Sequence, residues 1–283
     1  MTTQQATREG ERRGVAAGVP YLAIPPPEGT ERPGLVVILH GLDAPRTEDG
    51  MAGALPLDGV PAWRVYLGLP MTGARMPDGG VDEIVRLAGE DALMHVHAPI
   101  LEQASQELPA AIDVLKKELG IEDAKVVLVG ASIGAGAILK SLADTDVRAD
   151  IVILVNPMAR AADAIAAGER AFGTEYRWID ESRQKAAQLD FVRRAGEIAS
   201  RERPPKVLIL QGEDDDPAFV GGSAALHDAL RKHYPTVGDL SHVTVPDMGH
   251  SLAAEPGIER EPQNAAATYV DETVRGLLAR HLV

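Results

Sequence analysis

The chain has no cysteine among its 283 residues. This absence excludes disulfide bonds, thiolate metal sites and a cysteine nucleophile. Aromatic residues make up only 4% of the chain, and 42 acidic residues against 28 basic ones give a formal net charge of −14. Because such a charge repels phosphate and few rings are available for base stacking, nucleic acid and anionic membranes are poor partners.

Long hydrophobic runs are also missing. No run approaches the roughly 18 apolar residues that span a bilayer, and residues 1–14 are polar, without the apolar core of a signal peptide. We therefore expect a cytoplasmic protein that begins with a flexible tail over residues 1–14. The length fits one α/β domain with an insertion and leaves a homodimer open.

Short apolar runs rich in Val, Ile and Leu recur along the chain and predict strands. They lie at residues 21–24, 35–39, 63–69, 125–129, 151–155, 206–210 and 242–245. Apolar residues at helical spacing separate them, at residues 108–119, 133–142, 224–233 and 265–282. Continuously apolar strands are buried on both faces. The pattern therefore predicts an α/β fold with a mostly parallel central sheet and helices on both faces.

Residues 158–205 break this alternation. The segment is rich in Ala, Arg and Glu and holds no clear strand. We expect a helical insertion between residues 1–157 and 206–283, which together form the main domain. The insertion is a candidate cap over a site, with Trp178 as its pocket residue; a plain surface excursion is the alternative.

The sharpest motif is G-x-S-x-G at Gly130–Gly134, directly after a predicted strand and before a predicted helix. A sharp strand-to-helix turn needs small residues on both sides of a strained serine. Ser132 then lies at a helix N-terminus, where free N–H groups favour developing negative charge. The motif thus indicates a nucleophile.

The same letters also fit the glycine-rich turn of short-chain dehydrogenases. That chemistry needs a tyrosine followed four residues later by lysine, and none of the five tyrosines is followed in this way. An acid should also end the next strand and hold a ribose, but Asn156 stands there. We therefore set the dinucleotide interpretation aside.

A serine hydroxyl becomes a good nucleophile when a base accepts its proton. An acidic run, residues 213–216, follows the strand predicted at 206–210, and His250 follows the strand predicted at 242–245. The carboxyl ends of parallel strands line the ligand crevice. The order serine, acid, histidine is that of α/β-hydrolases.

The chain resembles the α/β-hydrolase superfamily in its serine esterase and peptidase branch, from about residue 35 to the C-terminus. The resemblance rests on His40-Gly41, the motif at Gly130–Gly134, Gly212-Glu-Asp-Asp215 and Gly249-His250. It is nearest to the dienelactone-hydrolase-like and prolyl-oligopeptidase-like members, and the absence of cysteine excludes their cysteine-nucleophile relatives.

The resemblance implies that Ser132 is the nucleophile, His250 the general base and acid, and Asp215 the residue that orients His250. A shift of one residue would assign the last role to Asp214 or Asp216. It also implies that the backbone N–H groups of Leu42 and Ile133 form the oxyanion hole, where each donor can be worth about 3 kcal/mol.

The resemblance implies a serine hydrolase that cleaves a small carboxylic ester through an acyl-enzyme, with no metal and no cofactor. The same three side chains would also serve a peptidase, a thioesterase or an acyltransferase. Prolyl-oligopeptidase relatives usually carry an N-terminal propeller, for which the roughly 30 residues before residue 35 are too few. A non-hydrolytic binding protein or biosynthetic catalyst on the same scaffold is the alternative of another class.

Overall fold

The structure is a computed structural model, which describes residues 10–234, 236 and 238–282. Eight strands form one sheet: β1 (Arg12–Ala16), β2 (Val19–Ile24), β3 (Gly34–Leu39), β4 (Ala62–Leu67), β5 (Val126–Ala131), β6 (Ile151–Val155), β7 (Lys206–Gly212) and β8 (Leu240–Val245). Their order is β1-β2-β4-β3-β5-β6-β7-β8; β2 runs antiparallel to both β1 and β4, and the other neighbouring strands pair in parallel. The predicted mostly parallel α/β fold is confirmed.

The α-helices of the described residues fill the connections. They are α1 (Glu48–Ala54), α2 (Gly80–Ala92), α3 (Ala98–Leu119), α4 (Ile133–Asp144), α5 (Ala161–Phe172), α6 (Asp180–Gln188), α7 (Ala195–Ala199), α8 (Pro217–Arg231) and α9 (Ala265–His281). A short 3-10 helix covers Gly73–Arg75, and a π-helical turn, Leu93–His97, joins α2 to α3. None of these helices is both long and apolar enough to cross a membrane.

Two hydrophobic layers cover the sheet, one on each face. Strand β3 contributes to both, because alternate side chains of a strand point to opposite faces. Leu35, Val37 and Leu39 join the larger layer, which also contains apolar residues of α3, α4 and α8. Val36 and Ile38 join the smaller layer, with residues of α1 and α9. Burial on both faces explains the unbroken apolar runs in the sequence.

The expected flexible tail over residues 1–14 is wrong for Arg12–Gly14, which belong to β1; residues 1–9 lie outside the described residues. A hairpin turn at Ala17 and Gly18, both with positive φ, pairs β1 with β2. An edge strand needs little apolar surface, so its sequence is polar. Its arginines are held instead by Asp49 and by the ring of Trp63.

The segment 158–205 contains α5, α6 and α7 and no strand among its described residues; its separation from the main domain as an insertion stays a prediction. It packs against α8, α4 and the π-helical turn. The segment 71–91, where no strand or helix is predicted from the sequence, is largely helical because it includes α2. Helix α2 has no fully buried residue, but Ile84, Leu87 and Ala88 recur at helical spacing and lie half-buried against the larger hydrophobic layer.

Candidate active site

Three side chains meet at the carboxyl edge of the sheet, each on the connection that follows a parallel strand. Ser132 directly follows β5, Asp215 lies three residues after β7, and His250 lies five residues after β8. The connection after β3, residues 40–47, covers the same edge. This is the crevice in which open α/β sheets bind their ligands.

The turn at Ser132 is strained and crowded. Ser132 has a φ of 51° and a ψ of −118°, a conformation that is unusual for a residue other than glycine. A Cβ on Gly130 would lie 2.6 Å from the backbone nitrogen of Ala135, and one on Gly134 would lie 2.4 Å from the carbonyl oxygen of His40. Both glycines are therefore required by the close approach of α4 to β5 and β3.

The serine, histidine and aspartate form one hydrogen-bonded chain. Ser132 Oγ lies 2.8 Å from His250 Nε2, and His250 Nδ1 lies 3.0 Å from each carboxylate oxygen of Asp215. Because Asp215 accepts the Nδ1 proton, Nε2 carries its lone pair toward the serine hydroxyl. His250 can therefore take the proton of Ser132 as its oxygen attacks a carbonyl carbon.

The structure selects one acid from the run at residues 213–216. The Asp215 side chain is fully buried, and besides His250 it accepts hydrogen bonds from Gln211 Nε2 at 2.8 Å and the backbone N–H of Asp216 at 2.6 Å. These donors offset the cost of burying a carboxylate. Asp214 is exposed, whereas Asp216 caps α8 and pairs with Arg170.

The two expected oxyanion donors belong to segments next to Ser132: Ile133 follows it in the chain, and Leu42 lies in the loop after β3. A Cβ on Gly41 would come within 3.5 Å of Ser132 Cβ, so the loop after β3 covers the serine. The Gly41 N–H donates to the Pro45 carbonyl. The N–H groups of Leu42 and Ile133 have no hydrogen-bond partner in the described part of the chain. Two unused donors beside a nucleophile can hold the oxyanion of a tetrahedral intermediate.

The His40 side chain fixes the loop after β3 through two hydrogen bonds. Its Nδ1 donates to the Gly41 carbonyl at 2.8 Å, and its Nε2 accepts from the Leu69 N–H at 3.3 Å. Complete burial lowers the pKa of His40 to about 4. The ring is therefore neutral at pH 7, and its place is structural rather than catalytic.

Three further residues of the site carry no sequence motif. Asn156 follows β6 and bonds to the loops that carry Asp215 and His250. Phe219, in α8, packs its ring 4.1 Å from the His250 ring. Asp43 Oδ2 lies 4.0 Å from His250 Nε2. Only the position of Asn156 at the end of a parallel strand could have pointed to it.

The predicted pocket residue Trp178 is half-buried and packs against the larger hydrophobic layer. Its ring stacks edge-on against Tyr176 at 4.8 Å, and the Tyr176 hydroxyl donates to Asp91. Among the described residues no hydrogen bond, ion pair or ring contact joins Trp178 to Ser132 or His250, so its pocket role stays a prediction. The insertion reaches the site elsewhere, where Arg170 Nε donates to Asp216 at 2.9 Å.

His97 lies at the N-terminal end of α3. One turn further on, Leu101 contacts Gly136, which itself lies one turn into α4 after Ser132. The Nδ1 atom of His97 is buried without a hydrogen-bond partner in the described structure, and burial lowers the pKa of His97 to about 4. This nitrogen therefore faces the protein interior, although the residue as a whole is only half-buried. The described residues contain no group of three or more side chains that could hold a metal ion.

Comparison with known families agrees with this geometry. A model of the prolyl oligopeptidase family matches residues 102–275, which is more than half of the chain and includes all three side chains of the hydrogen-bonded chain. No curated protein sequence matches significantly.

Several solved structures share the fold. TT1662 from Thermus thermophilus is 18% identical with a TM-score of 0.62, and the match covers 96% of this chain and 99% of that one. Est1E from Butyrivibrio proteoclasticus is 15% identical with a TM-score of 0.61, covering 96% and 98%. A puromycin-hydrolyzing peptidase from Mycobacterium tuberculosis is 16% identical with a TM-score of 0.64, covering 96% of this chain but 40% of that one.

Proposed function

As a member of the prolyl oligopeptidase family the chain is a serine hydrolase, and we propose that it cleaves a small carboxylic ester through Ser132, His250 and Asp215. The observation that carries the proposal is the continuous hydrogen-bonded chain from Ser132 Oγ through the His250 ring to the buried Asp215 carboxylate. This arrangement is the one that activates a serine for acyl transfer.

In the proposed reaction Ser132 Oγ forms a bond to the ester carbonyl carbon while its proton moves to His250 Nε2. The Leu42 and Ile133 N–H groups hold the oxyanion, and Asp215 stabilises the charged imidazole. The bond to the leaving oxygen then breaks, and that oxygen takes the proton from His250. Water repeats the sequence on the acyl-enzyme and releases the acid.

Different comparisons support the two candidate substrate classes, an ester and a peptide. The match that covers nearly the whole length of Est1E supports an ester. The family model supports a peptide, and the chain spans about two fifths of the matched peptidase. Ester hydrolysis remains our proposal because a catalytic domain of this size needs no further part to take a small substrate. Peptide hydrolysis is the second candidate.

The test is hydrolysis of short 4-nitrophenyl esters, with matched anilides and thioesters as controls. Ser132→Ala should lower kcat/KM by at least about a thousandfold, because no other group supplies the nucleophile. Ser141→Ala, in the same helix and hydrogen-bonded to Thr145 rather than to His250, should retain activity. Full esterase activity in Ser132→Ala would refute the mechanism.

Two further measurements separate the alternatives. A fluorophosphonate should label Ser132 in wild type and in Ser141→Ala, and peptide mass spectrometry identifies the modified residue. Absence of labelling in folded protein would favour a non-hydrolytic role. Product analysis with an added alcohol distinguishes an acyltransferase, which forms a new ester, from a hydrolase, which releases the acid. Anilide turnover that exceeds ester turnover would favour the peptidase.

A further inference from the structure

One carboxylate at the site takes no part in the proposed reaction. Asp43 follows Leu42 in the loop after β3, and its Oδ2 lies 4.0 Å from His250 Nε2, the same nitrogen that faces Ser132. The Asp43 side chain is 61% exposed, whereas that of Asp215 is fully buried. Asp43 therefore faces the open crevice on the reactive side of the histidine.

Among the residues that the structure describes, no lysine or arginine lies within 4.0 Å of the Asp43 carboxylate. His250 is its only ion-pair neighbour within 4.0 Å in the described structure. Two arginines lie in segments next to the site, but each has another partner: Arg46 pairs with Glu255, and Arg170 pairs with Asp216. His97, the other titratable group near Asp43, carries no charge at neutral pH because burial lowers its pKa to about 4. The negative charge is thus open to a ligand.

The geometry also fixes which part of a substrate meets this charge. The acyl oxygen must point to the Leu42 and Ile133 N–H groups, and the leaving oxygen must lie next to His250 Nε2 to receive its proton. A carboxylate 4.0 Å from that nitrogen borders the space of the leaving group. The acyl chain leaves the reacting carbon in another direction.

We propose that Asp43 selects substrates whose leaving group carries a positive charge, so that the preferred esters are those of alcohols bearing an ammonium group. This proposal rests on the function proposed above and specifies its substrate class. As Ser132 Oγ bonds to the acyl carbon and the ester C–O bond breaks, the leaving oxygen takes the proton of His250. The alcohol departs with its ammonium charge unchanged and opposite Asp43. The protein's net charge of −14 also attracts cations to the molecule as a whole.

The first test compares acetylcholine with 3,3-dimethylbutyl acetate, which has the same shape without the charge. The ratio of kcat/KM for the cationic ester to that for the neutral one should be about fivefold higher in wild type than in Asp43→Asn. Asp43→Glu should restore part of this difference. Added salt should lower the wild-type ratio toward that of Asp43→Asn, because screening weakens a partly exposed pair.

A control variant separates the effect of a charge next to His250 from the effect of the protein's net charge. Asp228→Asn changes the net charge by the same amount, at an 81% exposed side chain three turns along α8 from Asp216. It should leave the ratio at the wild-type value. Equal ratios in wild type and Asp43→Asn, or an equal loss in Asp228→Asn, would overturn the proposal.

A second measurement does not depend on ester turnover. Two diethyl phosphorothiolates, with 2-trimethylammonioethyl and 3,3-dimethylbutyl thiol leaving groups, phosphorylate an activated serine as the P–S bond breaks. Wild type should be labelled at Ser132 about fivefold faster by the cationic reagent, and Asp43→Asn should lose this preference. Preference in labelling without turnover of either ester would uphold the role of Asp43 and refute the esterase function. Equal labelling rates would refute the role of Asp43 alone.

Discussion

Asn156 links the two loops that carry the acid and the base. Its Nδ2 donates to the carbonyls of Gly249 and His250, both at 2.9 Å, and its Oδ1 accepts from the Gly212 N–H at 2.7 Å. The side chain is 1% exposed, and its backbone has a φ of 43°. Asparagine tolerates this left-handed conformation better than most residues. Asn156 is thus a positioning residue, which acts on the reaction through His250.

We predict that Asn156→Ala lowers both stability and turnover. The substitution leaves a buried N–H group and two carbonyls without their partner, at a cost of about 1–3 kcal/mol, and alanine in a left-handed conformation adds about 1 kcal/mol. Urea unfolding measures the loss of stability. In steady-state kinetics kcat should fall by about tenfold or more with little change in KM, because the histidine is displaced rather than the substrate pocket.

Asn156→Gly is the matched control for that substitution, because glycine adopts positive φ without strain. Asn156→Gly should recover the part of the stability that Asn156→Ala loses to backbone strain. It should not recover the turnover, because both variants lack the side-chain amide. Wild-type kcat in Asn156→Gly would show that the amide does not hold His250.

At the scale of elements, the turn from β5 into α4 depends on two glycines. We predict that Gly134→Ala destabilises the protein by more than about 2 kcal/mol, since its Cβ would meet the backbone oxygens of His40 and Leu39 at 2.4 and 2.7 Å. Backbone atoms cannot move aside as a flexible side chain can. Helix α4 must therefore shift, and Ser132 with it, so esterase activity should fall together with the unfolding free energy.

Gly89→Ala provides the opposite case within the same chain. Gly89 is exposed in α2, and nothing lies within 4 Å of its Cβ position. Alanine should stabilise the protein by about 0.4–1 kcal/mol, since it restricts the unfolded chain and favours the helix. Thermal unfolding of both variants checks the pair. A Gly134→Ala protein as stable as Gly89→Ala would contradict the packing at the turn.

The elements that the sequence predicts correctly are those with an unambiguous apolar pattern. Strands β3, β5, β6 and β7 are buried on both faces and read as continuous apolar runs. Strand β1 was missed because it is a polar edge strand, whereas helix α2 was missed although Ile84, Leu87 and Ala88 recur at helical spacing. Burial on both faces is what made these central strands recognisable.

The residues of the site divide into those that sequence motifs predict and those that only tertiary packing brings together. Ser132, Asp215 and His250 stand in motifs whose spacing is set by the strands before them. Asp43 and Phe219 reach His250 only because the loop after β3 and helix α8 converge on it. Such contacts depend on tertiary packing, and their residue types are not restricted by a local turn. These contacts therefore cannot be predicted from a single sequence.

At the scale of the whole molecule, buried ionisable groups make stability depend on pH. Burial lowers the pKa of His40 to about 4, well below its value of about 6.5 in the unfolded chain. Between these values the unfolded state binds the proton and the folded state does not. The contribution of His40 is therefore fully present above about pH 6.5 and is lost as the pH falls toward 4.

Buried acids act in the opposite direction. Burial raises the pKa values of Glu48, Asp163 and Asp271, so that these groups favour the folded state more as the pH falls. The total pH dependence of the wild type mixes both kinds of group. The contribution of His40 is therefore measured as a difference between the wild type and a variant that lacks only this ring.

We predict that His40→Gln isolates this contribution. Glutamine can donate to the Gly41 carbonyl and accept from the Leu69 N–H, as His40 does, but it does not titrate. From pH 7 to pH 5 the unfolding free energy of the wild type should fall by about 2 kcal/mol more than that of His40→Gln, given the two pKa values. Urea unfolding at both pH values measures it. Parallel pH dependence in the two proteins would mean that His40 is protonated in the folded state, and its Nε2 could then no longer accept the Leu69 N–H that holds the oxyanion loop.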